Sequence, residues 1–185
     1  MKYSWTMVCD FDEFIYSRNG YNTVADYLNT VDLNVSQIAI SWKIFGSNGH
    51  KEAKEPDSAI NAFTKRTDYA KGVSDIKIVN CKCIVRNSKL IDLGIHHSTV
   101  RSGLSIQSNN VITKVPFVET NEIILNTLNL HLNHYVVRSF DWFSRIKMTR
   151  GDVNTAKSDN VRNINYYNAF DINDIDDLEL KNKKY

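Results

Sequence analysis

The sequence predicts an α/β domain, and three observations predict it. A short apolar run, Trp5, Met7, Val8 and Cys9, stops abruptly at Asp10, as a buried strand does where it delivers polar residues at its end. Ile38, Ile40, Trp42 and Ile44 alternate within a stretch, Val35 to Phe45, that is rich in β-forming residues. Between them Val24, Tyr27 and Leu28 recur at helical spacing. With 185 residues, 42% hydrophobic, and only two prolines, the chain reads as one domain over 1–185 without a linker or repeat.

Tyr3 to Cys9 is the first expected strand, and ligands gather at strand ends of this kind in α/β sheets. A Ser17-Arg18-Asn19-Gly20 turn leads to a helix from Thr23 to Val31, capped by Asn22 or Thr23. The Val35 to Phe45 strand runs into Gly46-Ser47-Asn48-Gly49, where the glycines allow a sharp turn or close approach to a ligand. Ala59 to Thr67 is expected as a short helix and Lys77 to Val85 as another strand, with Gly94-Ile95-His96-His97 in a loop. Arg101 to Thr113 alternates weakly and fits a hairpin or an excursion.

Ile124, Leu128 and Leu132 step as a helix would, while Leu130 to Val137 fits a strand equally well. Ser139 caps a helix to Lys147 with Phe140, Phe143 and Ile146 at helical spacing, closed by Arg150-Gly151. The C-terminal stretch carries Tyr166, Tyr167 and Phe170, then the acidic run from Asp171 to Glu179, and finally Lys181 to Tyr185; a last amphipathic helix with a frayed basic end is expected there.

Charge narrows the partners. Twenty-three basic and 21 acidic side chains leave a formal net charge of +2, without the field that favours nucleic acid or an anionic membrane. No apolar run reaches the roughly 20 residues that cross a bilayer, so a soluble chain is expected. Cys9, Cys81 and Cys83 lack framework spacing, which fits a reducing, cytoplasmic setting, and Cys81-Lys82-Cys83 reads as buried thiols on a strand rather than a zinc site.

Asp10-Phe11-Asp12-Glu13-Phe14 carries the chemistry. A phosphoryl-linked leaving group develops negative charge, and a hard cation bound by carboxylate oxygens stabilises it. Asp10 and Asp12 can address one such ion if the chain turns there, although a bare Asp-x-Asp also reads as a solvated turn. Three further blocks follow in order: Trp42-Lys43-Ile44-Phe45-Gly46-Ser47-Asn48-Gly49-His50, then Gly94-Ile95-His96, then His134-Tyr135-Val136-Val137-Arg138-Ser139 with Lys147 and Arg150-Gly151 behind it.

From Trp5 to Gly151 this order resembles the glycosyltransferase family 2 and family 92 type domains. The resemblance implies a GT-A-like mixed sheet flanked by helices. It also implies metal-dependent transfer of a sugar from a nucleotide-sugar donor to a glycan or glycoprotein acceptor. On it, Asp10 and Asp12 hold Mn²⁺ or Mg²⁺, with Asp12 favoured as the direct ligand and His134 joining the metal shell. Lys147, Arg150 and Gly151 address the donor pyrophosphate, and Trp42, Gly46, Ser47 and Gly49 form the acceptor side. The general base comes from His50, Glu52 or Asp68, with His50 first because its loop should face the site. Ordinary structural roles compete with several of these: a backbone-paired His134, a solvated helix end for Lys147 and Arg150, and a core Trp42.

Domains of this type begin with a βαβ half that binds the nucleotide base. Met1 stands nine residues ahead of Asp10, so the resemblance implies that the N-terminal βαβ portion is missing. A chain truncated at its front, a short natural reading frame, and a partner chain supplying the strands each account for that, and each leaves an open sheet edge beside Tyr3 to Cys9. Two other functions compete. One is a metal-dependent phosphohydrolase built on Asp10, Asp12, Glu13, His96, His97, His131 and His134. The other is a non-catalytic carbohydrate-binding module.

Overall fold

A computed structural model describes residues 3–52, 58–69, 77–151 and 162–183. Along them run β1 (Trp5–Thr6), β2 (Glu13–Ser17), α1 (Val24–Leu28), β3 (Val35–Ile44), α2 (Ala59–Ala62), β4 (Lys65–Arg66) and β5 (Lys77–Arg86). There follow β6 (Leu90–Asp92), β7 (Thr99–Val100), β8 (Leu104–Gln107), β9 (Phe117–Thr120), α3 (Glu122–Thr127) and β10 (Leu130–His134). The chain then forms α4 (Phe140–Trp142), continued by a π-helical turn over Phe143–Lys147, and finally α5 (Ile164–Phe170) and β11 (Ile175–Asp176). It divides into two compact units, Met1–Trp42 with Tyr69–Asn133, and Lys43–Asp68 with His134–Tyr185.

The first unit is organised on β3. Its residues are buried almost throughout, as expected of a strand covered on both faces. The sheet runs β1-β5-β3-β10-β2, with β8 joined to β3 and β9 joined to β5. It is mixed: β5 lies antiparallel to β1, β3 and β9, while β8 lies parallel to β3 from Val35 to Ala39. Ile38, Ile40, Ile84, Ile106, Leu130 and Leu132 form the core beneath Val24, Tyr27, Leu28 and Val31. Thr23 fixes the start of α1 through a reciprocal capping box with Asp26, which settles the choice between Asn22 and Thr23.

The expected strand Tyr3 to Cys9 contracts to the two residues of β1. The chain turns at Asp10 and resumes as β2, which stands at the other end of the strand order from β1. Trp5 is only half-buried and lies under the Arg86 guanidinium, 4.1 Å from its ring centroid. In the strand order β1 stands at one end, paired with β5, and β3 lies in the middle. In the ambiguous region, Asn121 caps α3, the helix ends at Thr127, and β10 takes over at Leu130. Both alternatives were therefore partly right, helix first and strand second.

The second unit has its own core: Val136, Val137, Phe143 and Tyr167, packed with Ile44, Trp142, Tyr166 and Phe170. Ser139 caps α4 by accepting the Trp142 N–H at 3.3 Å, as its position in the sequence predicts. The helix expected from Ala59 to Thr67 stops at Ala62 because Phe63 is extended, and the chain passes into β4.

The expected last helix forms over its aromatic part, as α5, but the acidic run after Phe170 is not helical. It forms β11, antiparallel to β4, and its Asp and Asn side chains accept backbone N–H groups instead. These side chains are committed to distant backbone, and Asp177 also accepts the nearby Glu179 N–H at 3.2 Å, a local bond that competes with a helix. Lys184 and Tyr185, at the expected basic end, lie outside the described residues.

Candidate functional site

Asp10 to Glu13 form a closed turn in the first unit. The Glu13 N–H donates to the Asp10 carbonyl at 3.0 Å, and the Asp10 N–H donates to Glu13 Oε2 at 2.9 Å. This reciprocal pair fixes the backbone between the two aspartates. Phe11 at the tip is fully exposed, whereas Asp12 is buried. The Asp10 side chain is 58% exposed, and one of its oxygens, Oδ2, takes an ion pair from Lys82 Nζ at 3.0 Å.

Lys82 comes from β5 and is itself fully buried; its Nζ also reaches Glu13 Oε2 at 3.4 Å. Burial pushes the Glu13 carboxyl above the ordinary carboxylate value, against the opposing pull of the Asp10 N–H and of Lys82. Glu13 Oε1 has no hydrogen-bond partner among the described residues. Asp10 Oδ1 likewise accepts none there, so the exposed aspartate keeps one oxygen open.

Trp42, expected to face a sugar, is half-buried beside the first unit's core and meets the His96 ring edge-on at 5.5 Å. Two of the sequence blocks thus touch. His96 is held in turn at the Cys81 carbonyl, 3.2 Å from its Nδ1. His131 is structural: Tyr16 Oη approaches Nδ1 at 3.2 Å and the Leu125 carbonyl accepts from Nε2 at 2.8 Å. With Arg18 Nη1 also 3.0 Å from Nε2, both ring nitrogens are engaged within the protein, which makes His131 a poor metal ligand.

Gly46, Ser47, Gly49 and His50 share one loop of the second unit. Asp171 accepts from the Ser47 N–H at 2.7 Å and from its hydroxyl at 3.1 Å, and Asn173 accepts from the Asn48 N–H at 2.7 Å. Asn48 in turn binds the N–H groups of Thr64 and Lys65 at 3.0 and 2.8 Å. A Cβ at Gly46 would stand 2.5 Å from the Ile172 carbonyl, so only glycine fits there. His50 is exposed; its N–H donates to the Ser47 carbonyl at 3.0 Å and its ring abuts Phe63 at 5.8 Å.

His134 and Lys147 are buried in the same unit, while Arg150 is exposed and Gly151 half-exposed. The Phe45 N–H donates to the His134 carbonyl at 3.0 Å. Two cations face the Trp142 ring, Arg138 at 4.5 Å and Lys147 at 5.8 Å. Asp10, Asp12 and Trp42 belong to the first unit; Gly46, Ser47, Gly49, His50, His134, Lys147, Arg150 and Gly151 belong to the second.

Sequence reasoning passed over Lys82, Asp171 and Asn173. For Lys82 there was a signal: on a strand it shares a row with Ile84, two residues on, and the register sets it opposite Ile40, a core residue. A lysine on a core row needs a buried acid. Asp171 and Asn173 gave no such sign, because their partners lie more than a hundred residues away.

Among the described residues, no group of three or more His, Cys, Asp or Glu side chains is arranged to hold a metal ion by itself, and no helix is long and apolar enough to cross a membrane. The sequence model of glycosyltransferase family 92 matches residues 1–177. No curated protein matches the chain. The match of a family 92 model to nearly the whole chain, residues 1–177, corrects the expectation of a GT-A-like fold with its N-terminal βαβ portion missing. The α/β fold, with its mixed sheet and packed helices, is consistent with a family 92 domain, and a partner chain supplying a missing half has no support. Covered by that match over nearly all its length, the chain belongs to glycosyltransferase family 92.

Proposed function

We propose that the chain transfers a sugar from a nucleotide-sugar donor to a glycan or glycoprotein acceptor, with a divalent cation, Mn²⁺ or Mg²⁺, bound at the Asp10-Phe11-Asp12-Glu13 turn. The observation that carries this reading is the turn itself, inside a family 92 match: a locked backbone presenting one exposed carboxylate with an open oxygen. Such a donor set fits Mg²⁺ or Mn²⁺ better than Zn²⁺, because these hard ions take one or two carboxylates and complete their shell with water and substrate phosphates. Asp10 and Asp12 are the residues that would hold the ion. When bound, it supplies positive charge to the departing diphosphate.

In the reaction the acceptor hydroxyl oxygen bonds to the anomeric carbon, the bond from that carbon to the diphosphate breaks, and the hydroxyl proton leaves for a base. His50 takes that role, since its ring is exposed on a loop whose backbone is anchored to Ser47 and Phe140. Gly46, Ser47 and Gly49 shape the acceptor side and Trp42 offers a stacking face. Release of UDP or GDP from a panel of nucleotide sugars tests the reading. It predicts turnover with Mn²⁺ that EDTA abolishes; turnover unchanged by EDTA counts against the metal role, and no release from any donor counts against transfer.

A further inference from the structure

Lys82 is a buried ammonium whose charge goes entirely to the acidic turn. It stands on the core row of β5, opposite Ile40, and its side chain has no exposed surface. Its Nζ lies 3.0 Å from Asp10 Oδ2 and 3.4 Å from Glu13 Oε2. An ammonium in such surroundings is retained only with carboxylates beside it, so lysine and turn are mutually required. One consequence is geometric: Asp10 is gripped by one oxygen and leaves the other open, a monodentate donor. The other is electrostatic. A cation approaching the open oxygen meets the positive charge of the buried lysine across one carboxylate, although Asp10 itself is 58% exposed to water.

We infer that Lys82 is an internal counter-ion of Asp10 that keeps the turn from holding a divalent cation by itself, so that cation uptake depends on a diphosphate-bearing ligand. This rests on the sugar-transfer reading of the same turn. Lys82 is a positioning residue: it acts through Asp10 and touches no substrate. The diphosphate brings two or more negative charges to the cation and offsets the lysine. A free metal ion therefore does not occupy the turn ahead of the donor.

Titration of Mn²⁺ followed by electron paramagnetic resonance, with and without UDP or GDP, tests this on the wild-type chain and on Lys82→Met. In wild type, one of the diphosphates should tighten Mn²⁺ binding at least about tenfold; equal affinity with and without it overturns the inference. Lys82→Met should bind Mn²⁺ alone at least about tenfold more tightly than wild type, the direction set by removing a positive charge. The gain should vanish in Lys82→Met combined with Asp10→Asn.

A merely structural lysine predicts the reverse, weaker binding in a loosened turn, and that result overturns the inference while leaving sugar transfer standing. If wild type takes up no Mn²⁺ with either diphosphate, the sugar-transfer reading itself fails. Should Lys82→Met not unfold cooperatively, the wild-type comparison decides alone.

Discussion

Lys43 and Asp177 form a buried ion pair, Nζ to Oδ2 at 2.5 Å, with side-chain exposures of 1% and 8%. Arg66 Nε reaches the same carboxylate oxygen at 2.7 Å. One acid from the end of the chain thus compensates two cations near the start of the second unit. Replacing Asp177 by Ala takes the shorter of its two carboxylate contacts from Lys43, which keeps Glu179 Oε2 at 3.4 Å, and takes the same acid from Arg66, a loss of about 3 kcal/mol. Urea unfolding of Asp177→Ala against wild type measures it; a loss under about 1 kcal/mol contradicts the described packing.

The same pair sets a pH dependence. Burial pushes the Asp177 carboxyl up, but Lys43 and Arg66 outweigh it and hold the group below its ordinary value of 3.8. In acid the unfolded chain therefore binds this proton first, and the contribution is full above about pH 4 and disappears as pH falls through the depressed folded value. The stability gap between wild type and Asp177→Asn should be constant from pH 7 to about 5 and close below about 3.8. A gap that widens in acid contradicts the assignment.

The Gly46 to Gly49 loop discriminates between two kinds of glycine. Gly46→Ala drives a Cβ to within 2.5 Å of the Ile172 carbonyl and Asn173 Oδ1, which must displace the C-terminal segment at about 1–3 kcal/mol. Gly49→Ala meets no atom and costs only its left-handed backbone, φ +78°, about 1 kcal/mol. Asp171→Ala should match Gly46→Ala, since it strips the Ser47 N–H of its acceptor. Thermal unfolding ranks the three.

How much of this was legible in the sequence depends on how local each cause is. The alternation that made β3 and the Thr23 and Ser139 caps are written within a few residues, and they appeared where expected. The last helix stops at Phe170 instead of running through the acidic tail, because Asp171, Asn173 and Asp177 answer to donors on distant segments. The first strand was overextended because an apolar run does not reveal where the backbone turns, and here the Asp10–Glu13 exchange decides it. The Asp-x-Asp-Glu motif was visible. That its first acid is gripped from below by Lys82 needed the register of β5.

Substituting the acids separately distinguishes their roles. Asp10→Asn keeps the backbone turn, which uses only its N–H and carbonyl, but removes the open anionic oxygen; sugar transfer should fall at least about a hundredfold with folding retained. Glu13→Ala deletes the acceptor of the Asp10 N–H and should destabilise the fold by about 1–3 kcal/mol. Circular dichroism and donor turnover on each variant separate the two effects.

Isothermal titration of UDP and GDP into the protein, with and without Mn²⁺, bears most directly on the central claim. The account predicts that one nucleotide binds only with the metal and that Asp10→Asn abolishes this binding. Binding of neither nucleotide in the presence of Mn²⁺, or binding that ignores both the metal and the substitution, contradicts it.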